Sequence, residues 1–494
     1  MDNLFPLPGP IASQDTTSPE SKPLPTPEEA APPPPSYIAP DSKKPPVVKP
    51  SPLKIILPLL AGVLVIGGIV FGITKFIGSR SASQSTQPSQ AITLTYYGLW
   101  EPSAVMKPVI DEFEKLNPGI KISYQLQSPQ DYQDRVKAAL EGQNSPDIVR
   151  LHSTWLPLFA KNLFPAPANS VSATEISTNF YPIVAKTLVS GTQVYGVPVT
   201  MEGLALFMNN AMFQQKSLLP PKTWEDVLSA AKTLKEVDPL TGKLVRAGIA
   251  LGNTANIDHW PDIVSLMLLQ AGVKLTNPTG PEVAATLTYY TDFVTKHRVW
   301  DDTLPPSTVA FANEKVAMII APTWRAAEIK AINPSLSWQT VSVPQLPDSD
   351  TINWTSFWFE AVGKNSKHPQ EAWKFVSFLA SAKAQQILFD AATTDREFPQ
   401  PPANKAVAAQ AQNNPVVAPY VTSLDTARTF YTASNTRDAK TALNSRLIKY
   451  LEDAVNAVAQ NQDSAKALVT LSSGFAQVLS QYGLVAAPAA TPAP

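Results

Sequence analysis

The chain has 494 residues, 44% of them hydrophobic, and a formal net charge of −1, so it is long enough for more than one domain. It contains no cysteine, which excludes disulfide bonds, thiolate metal sites and cysteine nucleophiles. The balanced charge gives no support for nucleic-acid binding, and the four histidines lack the spacing of metal ligands. We therefore expect no cofactor, no metal ion and no nucleic-acid partner.

The N-terminal segment is rich in proline. Sixteen of the 49 prolines lie in the first 52 residues, and no apolar periodicity accompanies them. Such a segment buries too little apolar surface to offset the loss of chain entropy on folding. Residues 1–53 are therefore predicted to be a disordered tail.

An uncharged apolar run comes next. It covers nineteen positions, 55–73, and lysines bracket it on both sides. About 20 apolar residues match the hydrocarbon thickness of a bilayer, so we predict a transmembrane helix over residues 54–78. A cleaved signal peptide would have a shorter apolar core nearer the start of the chain.

The basic flanks of this run predict its orientation. More lysines precede the run than follow it, and the positive-inside bias then puts the proline-rich tail in the cytoplasm. The polar residues 79–91 form a flexible tether in this interpretation. We expect a single-pass protein of the cell membrane whose remaining residues are extracellular or periplasmic.

From residue 92 onward, predicted strands and helices alternate. The predicted strands cover residues 92–97, 120–126, 146–153, 195–200, 204–208, 247–251, 316–321 and 357–362. The predicted helices begin at Ser103 and Thr223 or cover residues 129–143, 259–271, 282–296 and 369–380, and two or three more lie between residues 437 and 482. This alternation predicts an α/β fold with a mainly parallel sheet covered by helices. A short disordered tail, residues 487–494, is expected at the end.

The segment 195–234 is the most diagnostic part of the chain. Two short strands and a short helix are followed by Pro220-Pro221, and Thr223 then starts a helix with acidic residues in its first turn. This order resembles the signature of family 1 extracellular solute-binding proteins, the carbohydrate-binding receptors of ABC importers. Residues 311–318, 343–347 and 371–375 resemble later segments of the same family.

The resemblance implies a two-lobe, maltose-binding-protein-like fold of the periplasmic-binding-protein class, with a ligand cleft between the lobes. It implies a monomer without enzymatic activity that captures a sugar or oligosaccharide by hinge closure and delivers it to ABC permease subunits, and so indirectly to their ATPase. Lobe 1 is expected to comprise residues 92–199 and 317–355, and lobe 2 residues 200–316 and 356–486. The missing lipid-bearing cysteine departs from many members of the family, and the transmembrane helix would replace the lipid.

Candidate ligand contacts follow from the predicted sheet. In open α/β sheets, ligands collect outside the carboxyl ends of the strands, and several tryptophans follow predicted strands. Aromatic faces suit the C–H surfaces of sugars, while carboxylates and amides bind sugar hydroxyls. The predicted ligand-binding residues are Trp100, Glu101, Trp155, Met201, Glu202, Asn209, Trp260, Trp324, Arg325 and Trp358.

Other interpretations stay open at this point. The protein could be a carbohydrate sensor uncoupled from transport, because a simple anchor needs no long cytoplasmic tail. It could also be a glycosidase that uses Glu101 and Glu202 as paired carboxylates, although no catalytic motif accompanies them. The sequence does not separate a neutral sugar from an acidic sugar, a polyol or a sugar phosphate.

Overall fold

The computed structural model describes residues 91–486. The predicted N-terminal tail, the transmembrane helix, nearly all of the tether and the C-terminal tail lie outside these residues. Within residues 91–486, no helix is both long enough and apolar enough to cross a membrane.

The strands belong to two five-stranded sheets, a three-stranded sheet and a short hairpin. They are β1 (Ile92–Gly98), β2 (Ile120–Leu126), β3 (Ile148–His152), β4 (Val189–Ser190), β5 (Gln193–Val194), β6 (Val197–Pro198), β7 (Glu202–Gly203), β8 (Ala205–Asn209), β9 (Glu236–Val237), β10 (Leu244–Ile249), β11 (Val316–Ala321), β12 (Trp338–Ser342), β13 (Asn353–Ser356), β14 (Trp358–Val362) and β15 (Ala427–Arg428). The strand orders are β2-β1-β3-β14-β6 and β12-β8-β11-β10-β9 in the large sheets, β15-β13-β7 in the three-stranded sheet and β4-β5 in the hairpin.

Helices cover both large sheets. They are α1 (Ser103–Leu116), α2 (Tyr132–Glu141), α3 (Leu156–Phe159), α4 (Ala173–Asn179), α5 (Pro182–Leu188), α6 (Asn210–Gln215), α7 (Trp224–Leu234), α8 (Trp260–Gln270), α9 (Pro281–Thr295), α10 (Ser307–Ala312), α11 (Arg325–Ile332), α12 (Pro369–Ala380), α13 (Ala382–Asp395), α14 (Lys405–Ala411), α15 (Ala418–Ser423), α16 (Leu443–Ala459) and α17 (Ser464–Gln481). Single 3₁₀ turns occur at Ser153–Trp155, Ala160–Asn162 and Leu424–Thr426.

Lobe 1 is the sheet that contains β1, together with the helices packed on it. β1 pairs in parallel with β2 and β3, whereas β14 runs antiparallel to β3 and β6. The apolar faces of α1, α2, α12 and α13 close its core. Phe113 and Trp373 are among the side chains that this core buries completely.

Lobe 2 is the sheet that contains β8, together with its own helices. β10 and β11 are parallel, whereas β8 runs antiparallel to β11 and β12. Helices α7, α8, α9, α16 and α17 contribute apolar side chains to its core. α7 approaches β10 so closely that a Cβ atom at Gly248 would lie 2.1 Å from the carbonyl oxygen of Ala231, so this packing requires glycine.

The two lobes are joined through the three-stranded sheet, which we call the hinge sheet. β13 pairs antiparallel with β7 and parallel with β15. The buried residues of lobe 1 extend to Met201, resume at Phe357 and end at Leu424, so the chain crosses between the lobes at all three strands. A short, three-stranded connection of this kind suits a relative movement of the two lobes.

The structure corrects the expected division of the chain between the lobes. The prediction puts residues 317–355 in lobe 1, but β11 and β12 belong to the sheet of lobe 2. It puts all residues from 356 onward in lobe 2, but β14, α12 and α13 complete lobe 1. Strand pairing decides this division, because β11 bonds to β8 and β14 bonds to β3, and hydropathy along the chain does not reveal pairing.

The expected parallel character is also only partly correct. Lobe 1 has three parallel neighbours, β2, β1 and β3, as the alternating pattern predicts. In both lobes, however, the strands next to the hinge sheet are antiparallel to their neighbours. This follows from the crossings, because a strand that enters from the other lobe does not arrive through a βαβ connection.

Most elements lie where the periodicity predicts them. β2, β11 and α12 match the predicted bounds, and several others agree within a few residues. α7 begins as expected at Thr223, whose hydroxyl accepts from the backbone N–H of Asp226 while the Asp226 carboxylate accepts from the N–H of Thr223. This reciprocal pair satisfies two amides that the first helical turn leaves free.

Candidate functional site

A cavity of about 220 Å³ lies between the lobes, beside the hinge sheet. Lobe 1 contributes Trp100, Glu101, Arg150, His152 and Trp358 to its lining. Lobe 2 contributes Leu204, His259, Asp262, Pro322, Trp324, Ser434, Asn435 and Arg437. The hinge sheet adds Glu202, Gly203, Trp354 and Ser356, and Thr200 and Gln400 complete the wall.

Trp100 is the most exposed aromatic residue of this wall. It lies two residues after the end of β1, and 41% of its surface is accessible. Its backbone has φ +72°, in the left-handed region that bulky residues rarely adopt. Bulky residues in this conformation are often found at binding and catalytic sites, where the surrounding structure holds them in place.

Trp358 is the centre of an aromatic cluster in lobe 1. It pairs across the sheet with His152, and their ring centroids are 5.0 Å apart at an interplanar angle of 73°. The ring centroids of Trp155 and Trp100 lie 5.3 Å and 5.8 Å from that of Trp358, both in edge-to-face arrangements, with Trp155 on the core side. Edge-to-face contacts on three sides fix the orientation of the Trp358 ring.

Trp324 is the corresponding aromatic residue of lobe 2. It comes soon after β11, and its ring lies 5.4 Å from that of His259 in an edge-to-face arrangement. The guanidinium of Arg325 lies 4.3 Å from the Trp324 ring centroid, and its Nε donates to Nε2 of His259 at 3.1 Å. A cation above one ring face is attracted to it and leaves less of that face for a ligand.

Asp262 connects the hinge sheet to the loop before α16. It accepts from the indole N–H of Trp354 at 2.8 Å and from the backbone N–H of Ser434 at 3.1 Å. The Ser434 hydroxyl donates to it as well. Since three donors already occupy this carboxylate, we assign it to holding Trp354 and Ser434 rather than to direct recognition.

The two glutamates of the cavity differ in their surroundings. Glu101 is neutralised by Arg396, whose Nη2 lies 2.9 Å from both carboxylate oxygens. Glu202 forms no salt bridge with any residue between 91 and 486. Burial raises the pKa of Glu202 to about 7, the nearby Trp324 indole lowers it, and the negative charges of Glu101 and Asp262 raise it further.

His152 lies in the cavity wall as a neutral imidazole. Burial lowers its pKa to about 3, and the charge of Asp262 opposes that effect. Its Nδ1 accepts from the backbone N–H of Thr154 at 3.3 Å. The Thr154 hydroxyl in turn bonds to Asn444 of α16 in lobe 2, so a buried polar contact joins the lobes beside the cavity.

The chemistry of this cavity is that of a binding site. Tryptophan rings from both lobes converge here with polar side chains, and small-molecule sites combine aromatic walls with convergent polar groups in this way. Within residues 91–486, no cluster of His, Asp or Glu side chains could hold a metal ion. The arrangement offers a ligand aromatic faces for stacking and side chains for hydrogen bonding.

The model of the family described as bacterial extracellular solute-binding protein matches residues 100–386, more than half of the chain. The chain belongs to this family. The resemblance seen in the sequence is thereby confirmed.

The chain is similar to named relatives and solved structures at low sequence identity but over most of its length. The multiple sugar-binding protein of Streptococcus mutans serotype c is 24% identical over 346 residues, which cover 67% of this chain and 80% of that protein. A cyclo/maltodextrin-binding protein solved with maltotetraose has a TM-score of 0.64 at 18% identity and covers 80% and 98% of the two chains. A Thermotoga lettingae ABC transporter solute-binding protein solved with α-D-tagatose has a TM-score of 0.60 at 21% identity and covers 79% and 100%.

These similarities confirm the two-lobe α/β fold of the solute-binding protein. Its family and its structural neighbours are binding proteins rather than enzymes. The geometry agrees with that finding, because Arg396 already engages both oxygens of Glu101, one of the two carboxylates of the alternative glycosidase interpretation.

Five of the predicted contact residues of the solute-binding protein line the cavity together: Trp100, Glu101, Glu202, Trp324 and Trp358. The other five do not line it. Trp155 is 1% exposed and supports Trp358 from behind, and Met201 is fully buried in lobe 1. Trp260 is buried in the core of lobe 2 at the start of α8.

The remaining two predicted polar residues serve lobe 2. Asn209 is 1% exposed and caps α6 by accepting from the backbone N–H of Met212. Arg325 is bonded to His259 and Glu328 and lies behind Trp324. Asn209 is the last residue of β8 and Arg325 comes four residues after β11, but the side chains of both have partners within the lobe.

Several cavity residues escaped prediction. His152 is the last residue of β3, so the strand-end rule that selected Trp155 applies to it equally. Arg150 and Asp262 carry no such signal, because one lies within a strand and the other within a helix. The loop residues Ser434, Asn435 and Arg437 are 280 or more positions away from Arg150 and His152, and only the fold brings them together.

Proposed function

We propose that this solute-binding protein captures a sugar or a short oligosaccharide between its lobes and delivers it to an ABC importer. The observation that carries the proposal is the set of four tryptophans in the cavity wall, drawn from both lobes and the hinge sheet: Trp100, Trp324, Trp354 and Trp358. Tryptophan faces stack on the C–H surfaces of pyranose rings. The relatives, among them a multiple sugar-binding protein and a cyclo/maltodextrin-binding protein solved with maltotetraose, support the same class of ligand.

The polar groups of the cavity suit hydroxyl recognition. Glu202 offers a carboxylate without a cationic partner, and the amide oxygen of Gln400 is buried without a hydrogen-bond partner among residues 91–486. Sugar hydroxyls supply donors for both. The volume of about 220 Å³ lies below the usual range of ligand pockets, about 300–1,000 Å³, and favours one or two sugar units over a long chain.

Hinge closure is the mechanism that this geometry favours. A ligand that contacts Trp100 and Trp358 on one side and Trp324 on the other binds more tightly when the lobes are close. Its binding energy would therefore stabilise the closed arrangement of the lobes around the hinge sheet. We infer that permease subunits recognise the closed arrangement of a monomeric receptor.

The attachment to the membrane is part of the proposal. A transmembrane helix over residues 54–78, with residues 1–53 in the cytoplasm and residues 79–91 as a tether, would keep the binding lobes at the outer surface. Random-coil scaling gives such a tether a mean reach of about 20 Å. The receptor would then meet its permease by diffusion in the plane of the membrane.

A sugar panel tests the function. Full-length protein in detergent is titrated calorimetrically, after a thermal-shift screen, with neutral sugars, acidic sugars, polyols and sugar phosphates. We expect saturable binding of at least one neutral sugar, and a large loss of affinity in Trp358→Ala. Trp338→Ala, which removes a tryptophan outside the cavity, is the matched control and should keep the affinity of the wild type. Absence of binding across the carbohydrate panel would refute the proposal.

Transport and sensing are separated by a second experiment. The full-length receptor is purified from its own cells, and the co-purifying membrane proteins are identified. Recovery of ABC permease subunits, increased by the sugar, supports delivery to an importer. Recovery of cytoplasmic proteins on the proline-rich tail, without permease, would favour the sensor.

A further inference from the structure

The turn that carries Trp100 is held on both sides by hydrogen bonds. The carbonyl oxygen of Leu99 accepts from Nη1 of Arg150 at 2.8 Å, and that of Glu101 accepts from the Tyr124 hydroxyl at 2.6 Å. These two carbonyls belong to the residues immediately before and after Trp100. The unfavourable backbone conformation of Trp100 is therefore fixed from outside the turn.

Arg150 is itself held by a buried partner. Its Nε donates to Oε1 of Glu360 at 2.8 Å, and the two residues face each other in register on β3 and β14. The accessible fractions of Arg150 and Glu360 are 2% and 0%. Burying such a pair contributes little stability compared with apolar residues of the same size, so stability alone does not account for it.

Two further features of the turn help to hold it in place. The carboxylate of Glu101 is held by Arg396 at 2.9 Å through both oxygens, so the residue after Trp100 is restrained by its side chain as well. A Cβ atom at Gly98 would lie 2.2 Å from the ring of Tyr124. Glycine at this position allows the Tyr124 hydroxyl to reach the turn.

We propose that Arg150, Glu360 and Tyr124 are positioning residues that hold Trp100 in one orientation, so that its ring is a rigid platform selecting the stacking face of the ligand. We call these three residues the Trp100 clamp. The selectivity part of this inference rests on the proposed sugar-binding function. Epimeric sugars differ in which face of the sugar ring is free of axial hydroxyls. A tryptophan ring of fixed orientation therefore distinguishes between epimers better than a mobile ring does.

The clamp is tested first without a ligand. The full-length protein is labelled with 5-fluorotryptophan, and the ¹⁹F resonance that disappears in Trp100→Phe is assigned to Trp100. Tyr124→Phe removes one hydroxyl, and the double variant Arg150→Met/Glu360→Leu replaces the buried pair by apolar side chains, a change that buried pairs often tolerate. We expect the Trp100 resonance to shift or broaden in both variants.

Tyr195→Phe is the matched control. It also removes a bonded tyrosine hydroxyl from lobe 1, but that hydroxyl bonds to Gln193 and not to the turn of Trp100. The Trp100 resonance should stay unchanged in it. If Tyr124→Phe and the double variant also leave the Trp100 resonance unchanged, the clamp is refuted. If the double variant fails to fold, the result for Tyr124→Phe alone decides whether the clamp exists.

The second test measures selectivity. For Tyr124→Phe we expect the affinity for the preferred sugar to fall by up to about fivefold, because the ligand must then order a turn that one hydrogen bond no longer holds. We also expect the affinity ratio between that sugar and its epimers to narrow. A merely structural role would lower the melting temperature and leave the ratio unchanged, which would overturn the proposal. If the wild type binds no sugar, the proposed function fails, and the ¹⁹F result alone decides whether the clamp exists.

Discussion

We predict that Glu202 makes the affinity for a sugar depend on pH. Its carboxyl group lies on β7 of the hinge sheet, lines the cavity and has a pKa of about 7. A sugar hydroxyl donates to the ionised carboxylate, so binding favours the ionised form. With that pKa, about one molecule in eleven is ionised at pH 6 and about ten in eleven at pH 8. If only the ionised form binds, the apparent Kd at pH 6 exceeds that at pH 8 by about tenfold, or about 1.4 kcal/mol.

Calorimetry between pH 6 and 8 measures this effect directly. Titrations in buffers of different ionisation enthalpy also count protons, and we expect release of about half a proton per ligand bound at pH 7. Glu202→Gln should bind more weakly than the wild type at pH 8 and show no pH dependence over this range. Glu141→Gln changes an exposed glutamate outside the cavity and should behave like the wild type.

Two outcomes would refute the reasoning. An affinity that stays constant from pH 6 to 8 would mean that Glu202 does not contact the ligand or does not titrate in this range. An affinity that falls with rising pH would mean that the protonated carboxyl donates to the ligand, which reverses the assigned role.

Further predictions concern stability and the aromatic wall. His152 has a folded pKa of about 3, below its unfolded value of about 6.5, so protonation favours the unfolded state and the protein loses stability as the pH falls below 6.5. At pH 5 this loss of unfolding free energy is about 2 kcal/mol. In His152→Gln, denaturant unfolding curves should show a smaller loss of stability between pH 7 and pH 5. Trp324→Ala should weaken sugar binding severely in calorimetry while shifting the melting temperature only slightly, and an equal loss of stability would mean that it belongs to the core. Thr223→Ala removes the cap of α7 and should cost about 1 kcal/mol of unfolding free energy without changing sugar affinity; an unchanged midpoint of unfolding would contradict the capping argument.

Local chemistry accounts for the elements that the sequence predicts well. The helix after Pro220-Pro221 starts at Thr223 because its capping box and its apolar periodicity are both short-range properties of the chain. The run Val316–Ala321 is a strand in the prediction and in the structure because every one of its residues is apolar and buried. The family was recognisable for the same reason, since its signature is a sequence of such local signals.

The sequence predicted that ligand contacts lie near strand ends, but not which side chains there face the cavity. His152 ends β3 and Trp155 ends the 3₁₀ turn that follows it, yet the Trp155 ring is buried in the core whereas His152 lines the cavity. Arg325 and Trp324 are adjacent in sequence, but the arginine is bonded to His259 and only the tryptophan faces the cavity. Side-chain direction at a turn changes from one residue to the next, so a rule about strand ends does not resolve it.

The sequence by itself determined the class of most of the longer elements between residues 92 and 482, the family and the kind of ligand chemistry, because periodicity, capping and residue type act over a few positions. Only the tertiary structure decided which strands share a sheet, which of the ten tryptophans line the cavity, and that Arg150 and Glu360 hold the turn of Trp100. Those features depend on contacts between residues that are often hundreds of positions apart. Such contacts arise from strand pairing across the sheets and from the hinge crossings, which leave no short-range trace in the chain.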